Sequence, residues 1–236
     1  MPRFFCGCLI FFISHLSLSQ SNNKSFTVKH ISENIVADGI LDEPIWELAE
    51  GASEFWEYFP LDSIQAREQS QIKMLYDDKN LYIGIKAYSS GQNYATQSLK
   101  RDFRGSGSDS FSLLFDTFND GTNAFLFGIN PFGVRREALI ANGGTSRDDF
   151  NLSWDVKWRG DAKMYEDYFT AEMIIPLTSL KFEQGATKWR FNSYRIETQS
   201  NERSTWTRVP QNQLIYNLAF MGEMVFEKPL GKSRTP

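Results

Sequence analysis

Four acidic residues are the first candidates for chemistry in this sequence. Glu172, Asp155, Glu197 and Glu202 could supply the two carboxyl groups of a glycoside hydrolase, one to protonate the leaving oxygen and one to attack or to activate water. No spacing among the four selects a pair, so catalysis is not the expected role. Nucleophilic and zinc chemistry have less to draw on. Cys6, Cys8 and His15 fall within an N-terminal leader, which leaves no cysteine and only His30 in the rest of the chain. A cysteine nucleophile, a disulfide framework and a zinc site of several His or Cys ligands are thereby excluded. A Ser-His-Asp relay would have to use His30, at the very start of the folded region. Asp116, Asn119, Asp120 and Thr122 crowd one tight turn, and Asp148 and Asp149 sit in a Gly-Gly loop. Oxygen donors converging from a loop suit Ca2+. Asp-Gly turns also form for backbone reasons alone, and the sequence leaves both readings open.

Aromatic residues offer a different chemistry, since the C–H face of a pyranose packs on a flat, exposed ring. Trp206 stands among Asn201, Glu202, Arg203, Ser204, Thr205, Thr207 and Arg208. That setting suits a rim aromatic whose neighbours Arg203 and Arg208 bond sugar hydroxyls. A Trp-Arg pair can also be a purely structural cation–π contact. Phe103, beside Arg101, Asp102 and Arg104, is a similar candidate, and Tyr216 a second platform. Trp158 shares an alternating stripe with Trp154 and Val156, a pattern as typical of core as of a binding face.

The elements that must position these residues read as strands. Ile72, Met74 and Tyr76 alternate with polar or smaller neighbours, as do Leu81, Ile83, Ile85 and Ala87. With Asp77-Asp78-Lys79-Asn80 between them, the two runs predict a hairpin. Further strands are expected at 110–115, 124–130, 134–140, 153–158, 168–175, 189–197 and 218–226, with a loop over 141–151 and a helical turn over 177–182. Asp42, Pro44 and the apolar Ile45, Leu48 and Ala49 predict one short helix between 42 and 50, capped by Asp42 and packed through those three residues. Many short strands at regular spacing, without strand–helix–strand alternation, indicate an all-β antiparallel sandwich.

Gross composition agrees. Hydrophobic residues make up 41% and aromatics 15% of 236 residues, enough for a core in one domain. Arg3 followed by a mostly apolar run to Leu18 and small residues near Ser19 reads as a signal peptide, residues 1–20, with cleavage near Ser19 or Gln20. The run falls short of the ~20 residues a spanning helix needs. Residues 21–25 read as a polar spacer, 26–228 as the domain and 229–236 as a polar tail. One of the 25 basic residues lies in the leader, so the rest of the chain carries 24 against 29 acidic residues. That balance gives no electrostatic footprint for nucleic acid.

Four segments in order resemble a known family. Asp38-Gly39-Ile40-Leu41-Asp42-Glu43-Pro44-Ile45-Trp46 looks like its opening motif, and Tyr76 to Ile83 like its first hairpin. Asp109 to Asp116 looks like its next strand, and Glu172-Met173-Ile174-Ile175-Pro176 like a later one. The family is that of the family 9 carbohydrate-binding modules, and the resemblance spans roughly Ile35 to Phe226. Thr117 to Gly121, Asn130 to Gly133 and Trp154 to Trp158 resemble a variant of it found ahead of an outer-membrane barrel-like region in large secreted bacterial proteins. The resemblance implies a jelly-roll-like β-sandwich that holds a poly- or oligosaccharide between aromatics without catalysis. It also implies an exported protein, with an outer-membrane barrel domain as a further partner. The alternative is an interaction domain of an outer-membrane assembly that has lost the sugar site. This sequence has Ser112 where the family has Glu.

Overall fold

The computed structural model describes residues 24–231, so the signal peptide expected over 1–20 and most of the spacer lie outside the described residues. The chain there forms fourteen strands: β1 (Ser25–His30), β2 (Glu50–Ala52), β3 (Trp56–Phe59), β4 (Ser70–Tyr76), β5 (Asn80–Tyr88), β6 (Ser110–Asp116), β7 (Ala124–Ile129), β8 (Arg135–Ile140), β9 (Phe150–Asn151), β10 (Arg159–Met164), β11 (Tyr168–Pro176), β12 (Lys188–Glu197), β13 (Glu202–Thr205) and β14 (Gly222–Phe226).

They make two layers. The first sheet runs β14-β12-β6-β7-β8-β9, with β13 on the other half of the β12 edge and β3 beyond it. The second runs β10-β11-β5-β4, with β2 on β4. β1 joins them: Ser25 to Val28 pair with β14, and Lys29 and His30 with β4. Both β1 pairings are parallel, whereas the other ladders are antiparallel. The all-β sandwich is therefore as expected, and its uniformly antiparallel character is corrected at β1.

Side-chain alternation explains the layering. Phe111, Leu113 and Phe115 on β6, Phe127 and Ile129 on β7, and Phe191 on β12 point inward against Ile72, Ile83, Ile85, Ala171 and Met173 of the second sheet. The rings interlock edge to face; Phe115 meets Phe127 at 6.1 Å and Trp189 at 6.4 Å, arrangements worth about 0.5–1.5 kcal/mol each beyond burial. The outer face of the first sheet is not left to water. Leu114, Leu126, Ala138, Ile140 and Tyr194 lie there beneath Leu218 and Met221. The outer face of the second sheet carries Leu75 and Tyr82 beneath Ile31, Ile35 and Trp46.

The hairpin β4–β5 forms as the sequence predicts, with Asp77 Oδ1 accepting the N–H groups of Lys79 and Asn80. Four local expectations are corrected. The short helix is a 3₁₀ turn, Pro44–Leu48, because Glu50 already enters β2 opposite Met74. Asp42 does not cap it; the cap position is Glu43, without a side-chain cap bond. Trp46 is the buried residue of the turn, and Leu48 is exposed. The strand expected over 153–158 does not form: Ser153 lies in a turn, 154–158 join no ladder, and the ladder begins only at Arg159. The strand expected over 218–226 starts at Gly222, after a turn in which Asn217 accepts the Ala219 N–H. The tail expected from 229 still packs at Leu230, which is buried and exchanges backbone bonds with Gly185 and Ala186.

Candidate functional site

One transverse row crosses the outer face of the first sheet. Arg136 of β8 stands opposite Gly128 of β7, which stands opposite Ser112 of β6. Ser112 pairs with Tyr194 of β12, Tyr194 with Thr205 of β13, and Thr205 with Trp56 of β3. Paired residues share a face, so the row places a guanidinium, two hydroxyls, a phenol and an indole along one line of the sheet.

Gly128 lets the row close up. With no side chain at that position, Arg136 lies flat over the sheet, and a Cβ there would stand 2.8 Å from Arg136 Nε. Nη2 then donates to Ser112 Oγ at 2.7 Å and to the Tyr194 hydroxyl at 2.8 Å. The Phe103 ring covers the guanidinium at 5.3 Å. Arg136 is only 4% exposed, yet among the described residues it forms no ion pair, and its buried Nε has no hydrogen-bond partner. Arg136 is not among the candidate residues expected from sequence. Its signal was legible: Arg136, Ala138 and Ile140 alternate on one strand face, so a cation shares a face with apolar residues.

At the other end the row opens. Trp56 and Phe59 are partly exposed. Arg208 lies over Trp56 at 5.9 Å and Arg203 over Phe59 at 5.5 Å. Arg208 is held by the Asp62 carbonyl at 2.6 Å. Tyr216 is half-buried over the same sheet, edge-on to Phe150 at 5.3 Å, with its hydroxyl on the Ser146 carbonyl. Arg203, Arg208 and Tyr216 thus come to this face. Phe103 does too, but it is only 2% exposed and packed on Arg136, so the expectation that it offers an open ring like a rim aromatic is corrected.

Trp206 and Trp158 do not. Trp206 is 3% exposed and packs between Phe26 at 5.4 Å and Phe191 at 5.5 Å. The expectation that it sits at the rim with an open ring face is corrected, and the reason is parity. Thr205 faces outward on β13, so Trp206 turns to the core. Its neighbour Thr207 finds partners in the fold: the Thr207 N–H bonds Asn192 Oδ1 at 3.0 Å, and its hydroxyl donates to the Phe220 carbonyl. Trp158 is also buried, edge-on to Phe127 at 5.5 Å, with its indole N–H on Glu137 Oε2 at 3.1 Å. Glu137 is further bound by Arg101. Trp154 meets Phe125 and Phe127, so the stripe packs on the core even without a ladder.

The carboxylates are spoken for. Glu172 accepts from Asp38 N and Gly39 N, both at 3.1 Å, and from Trp46 Nε1 at 3.0 Å. Burial first, and Glu43 beside it second, push the Glu172 carboxyl up to about 8. Glu197 caps the turn at Gln199 and Ser200, Glu202 takes the Arg67 N–H, and Asp155 pairs with Arg101 at 2.9 Å. In the turn read for calcium, Asp116 Oδ2 accepts the Gly121 N–H at 2.8 Å and faces Arg190 at 3.5 Å, while Asp120 bonds Thr122 locally. Among the described residues, no group of three or more His, Cys, Asp or Glu is arranged to hold a metal ion.

No family model and no curated protein matches the sequence. Solved structures do match the fold. A family 9 carbohydrate-binding module from Caldicellulosiruptor kristjanssonii in complex with cellotriose superposes with a TM-score of 0.62 at 16% identity, over 90% of this chain and 98% of that one. The structure of such a module from the same organism with glucose gives 0.63 at 18% identity, over 90% and 99%. The fold is that of the family 9 carbohydrate-binding modules. A Bacteroides uniformis protein provisionally assigned to carbohydrate binding shares it, with a TM-score of 0.66 at 12% identity over 86% of this chain and 99% of that one. Within this family 9 fold, the row from Arg136 to Trp56 crosses five strand pairings, and two separate segments, one bearing Phe103 and one bearing Tyr216, fold over it.

Proposed function

We propose that the chain is a non-catalytic carbohydrate-binding module that holds a poly- or oligosaccharide on the outer face of the first sheet. The observation that carries this is convergence. Phe103 is distant in sequence from Arg203, Arg208 and Tyr216, and all four meet Tyr194, Arg136 and Trp56 on one face. Aromatic rings interleaved with fork-shaped donors suit sugar faces and hydroxyls. The sugar complexes of proteins with this fold support the reading. The leader expected over 1–20 directs the chain out of the cytoplasm, to a jelly-roll-like module of the cell envelope or its surroundings that serves polysaccharide breakdown.

Titration calorimetry against a panel of soluble oligosaccharides tests the binding. Saturable heat with at least one glycan is expected, and it weakens in an Arg203→Ala, Arg208→Ala double variant. A second reading, docking onto an outer-membrane barrel domain or partner, draws support from the burial of Trp206, which removes the one tryptophan that looked like an open platform. A wild-type protein that binds no glycan on the panel selects that reading.

A further inference from the structure

We propose that the glycan is acidic, and that Arg136 receives its anionic group, a carboxylate or a sulfate ester on the sugar. This inference rests on the carbohydrate-binding reading above and adds the ligand's charge.

A guanidinium taken out of water without a counter-charge is expensive, and proteins bury arginine almost always with a carboxylate or a full set of acceptors. Arg136 has neither. Its two hydrogen bonds go to neutral hydroxyls, Ser112 Oγ and Tyr194 OH, through one nitrogen. Its Nε is buried without a partner. Glu137, the nearest acid in sequence, points to the other side of the same strand and is occupied by Arg101 and Trp158. Among the described residues no carboxylate pairs with it; the Phe103 and Tyr194 rings at 5.3 and 5.9 Å and the two hydroxyls are its surroundings.

The surroundings point the same way. Arg136 is covered by a layer of chain whose Phe103 is itself only 2% exposed. Phe103 lies on the guanidinium, and Gly105 passes so close that a Cβ there would stand 2.4 Å from Nη1. Outside that layer Leu99, Lys100, Asp102, Arg104 and Ser106 are exposed. Lys100 and Arg104 form no ion pair among the described residues, and Arg203 at the open end of the row forms none either. The protein as a whole is acidic, so this is a local reversal of sign that would attract an anion. An oxyanion can accept a hydrogen bond from Nη1, the terminal nitrogen that Ser112 and Tyr194 leave free, once the loop carrying Phe103 and Gly105 moves aside. The hydroxyls of Ser112 and Tyr194 hold Nη2, and with it the plane of the guanidinium, in place.

The test compares charged and neutral ligands of one length on the wild-type protein by calorimetry at pH 7. Oligogalacturonate, its carboxyl-reduced neutral counterpart and a sulfated galactan oligomer serve as probes. At least tenfold tighter binding of one anionic oligomer over the neutral one is expected, with affinity falling as salt is raised. The preference should collapse in Arg136→Lys, which keeps the charge and loses the fork, while the melting temperature stays within a few degrees. The two anionic arms tell carboxylate from sulfate. Equal binding of neutral and charged oligomers overturns the inference and leaves the carbohydrate reading standing. Absence of binding to all three, and to the wider panel, overturns that reading itself. Should Arg136→Lys fail to fold, the wild-type comparison and its salt dependence decide alone.

Discussion

Arg136 lies directly across Gly128, and the absence of a side chain at 128 is the condition for its two hydrogen bonds to Ser112 and Tyr194. In Gly128→Ala the new methyl would stand 2.8 Å from Arg136 Nε, 2.9 Å from its Cγ and 3.2 Å from Ser112 Oγ. One neighbour is a flexible side chain, but it is packed under Phe103 and has little room to retreat. A loss of about 1–3 kcal/mol, the usual cost of overpacking, is expected. Urea unfolding followed by tryptophan fluorescence measures it; an unchanged midpoint would show that Arg136 moves freely.

Trp206 behaves as a core residue. Trp206→Ala removes a ring wedged between Phe26 and Phe191 and leaves a cavity. A destabilisation of about 3–5 kcal/mol is expected. A thermal melt within a degree or two of wild type would contradict its burial.

Arg203 and Arg208 are exposed and stack on Phe59 and Trp56. Single Ala variants should lower stability by no more than about 1 kcal/mol, the scale of an exposed cation–π contact. Glycan affinity should respond more than the melt. A large drop in melting temperature would instead make them structural props of the β3–β13 edge.

Glu172 gives the protein a pH dependence. Its carboxyl is pushed from the ordinary 4.5 up to about 8 in the folded state, by burial and then by Glu43. Between those values the folded form holds a proton that the unfolded chain has released, so stability falls as pH rises through this window. The contribution is fully present below about 4.5 and lost above about 8. Glu172→Gln should flatten that part of the stability–pH profile, whatever it does to the absolute value. Denaturant midpoints at pH 4.5, 6 and 8 provide the comparison, and a slope identical in variant and wild type would assign it to other groups.

Sequence alone determined the strands that carry period-two apolar residues, the β4–β5 hairpin with its Asp77 turn, and the all-β class, because alternation and turn chemistry are local properties. It also picked out Phe103, Arg203 and Arg208, which share the outer face, from charged and aromatic residues standing side by side. It could not supply β10, whose run Arg159–Met164 is largely exposed and lacks apolar alternation. Nor could it place Trp206. Polar residues on both sides of a tryptophan suggest a rim only if the opposite face of the strand meets water, and here Leu218 and Met221 fold back over that face while Thr207 bonds Asn192 and Phe220. Tertiary structure decided the rest by register. Ladder pairings between strands far apart in sequence brought Arg136, Gly128, Ser112 and Tyr194 into one row, and only that row reveals a buried guanidinium without a counter-charge. Such a pairing costs loop closure and is fixed by the whole sheet, so no window of sequence contains it.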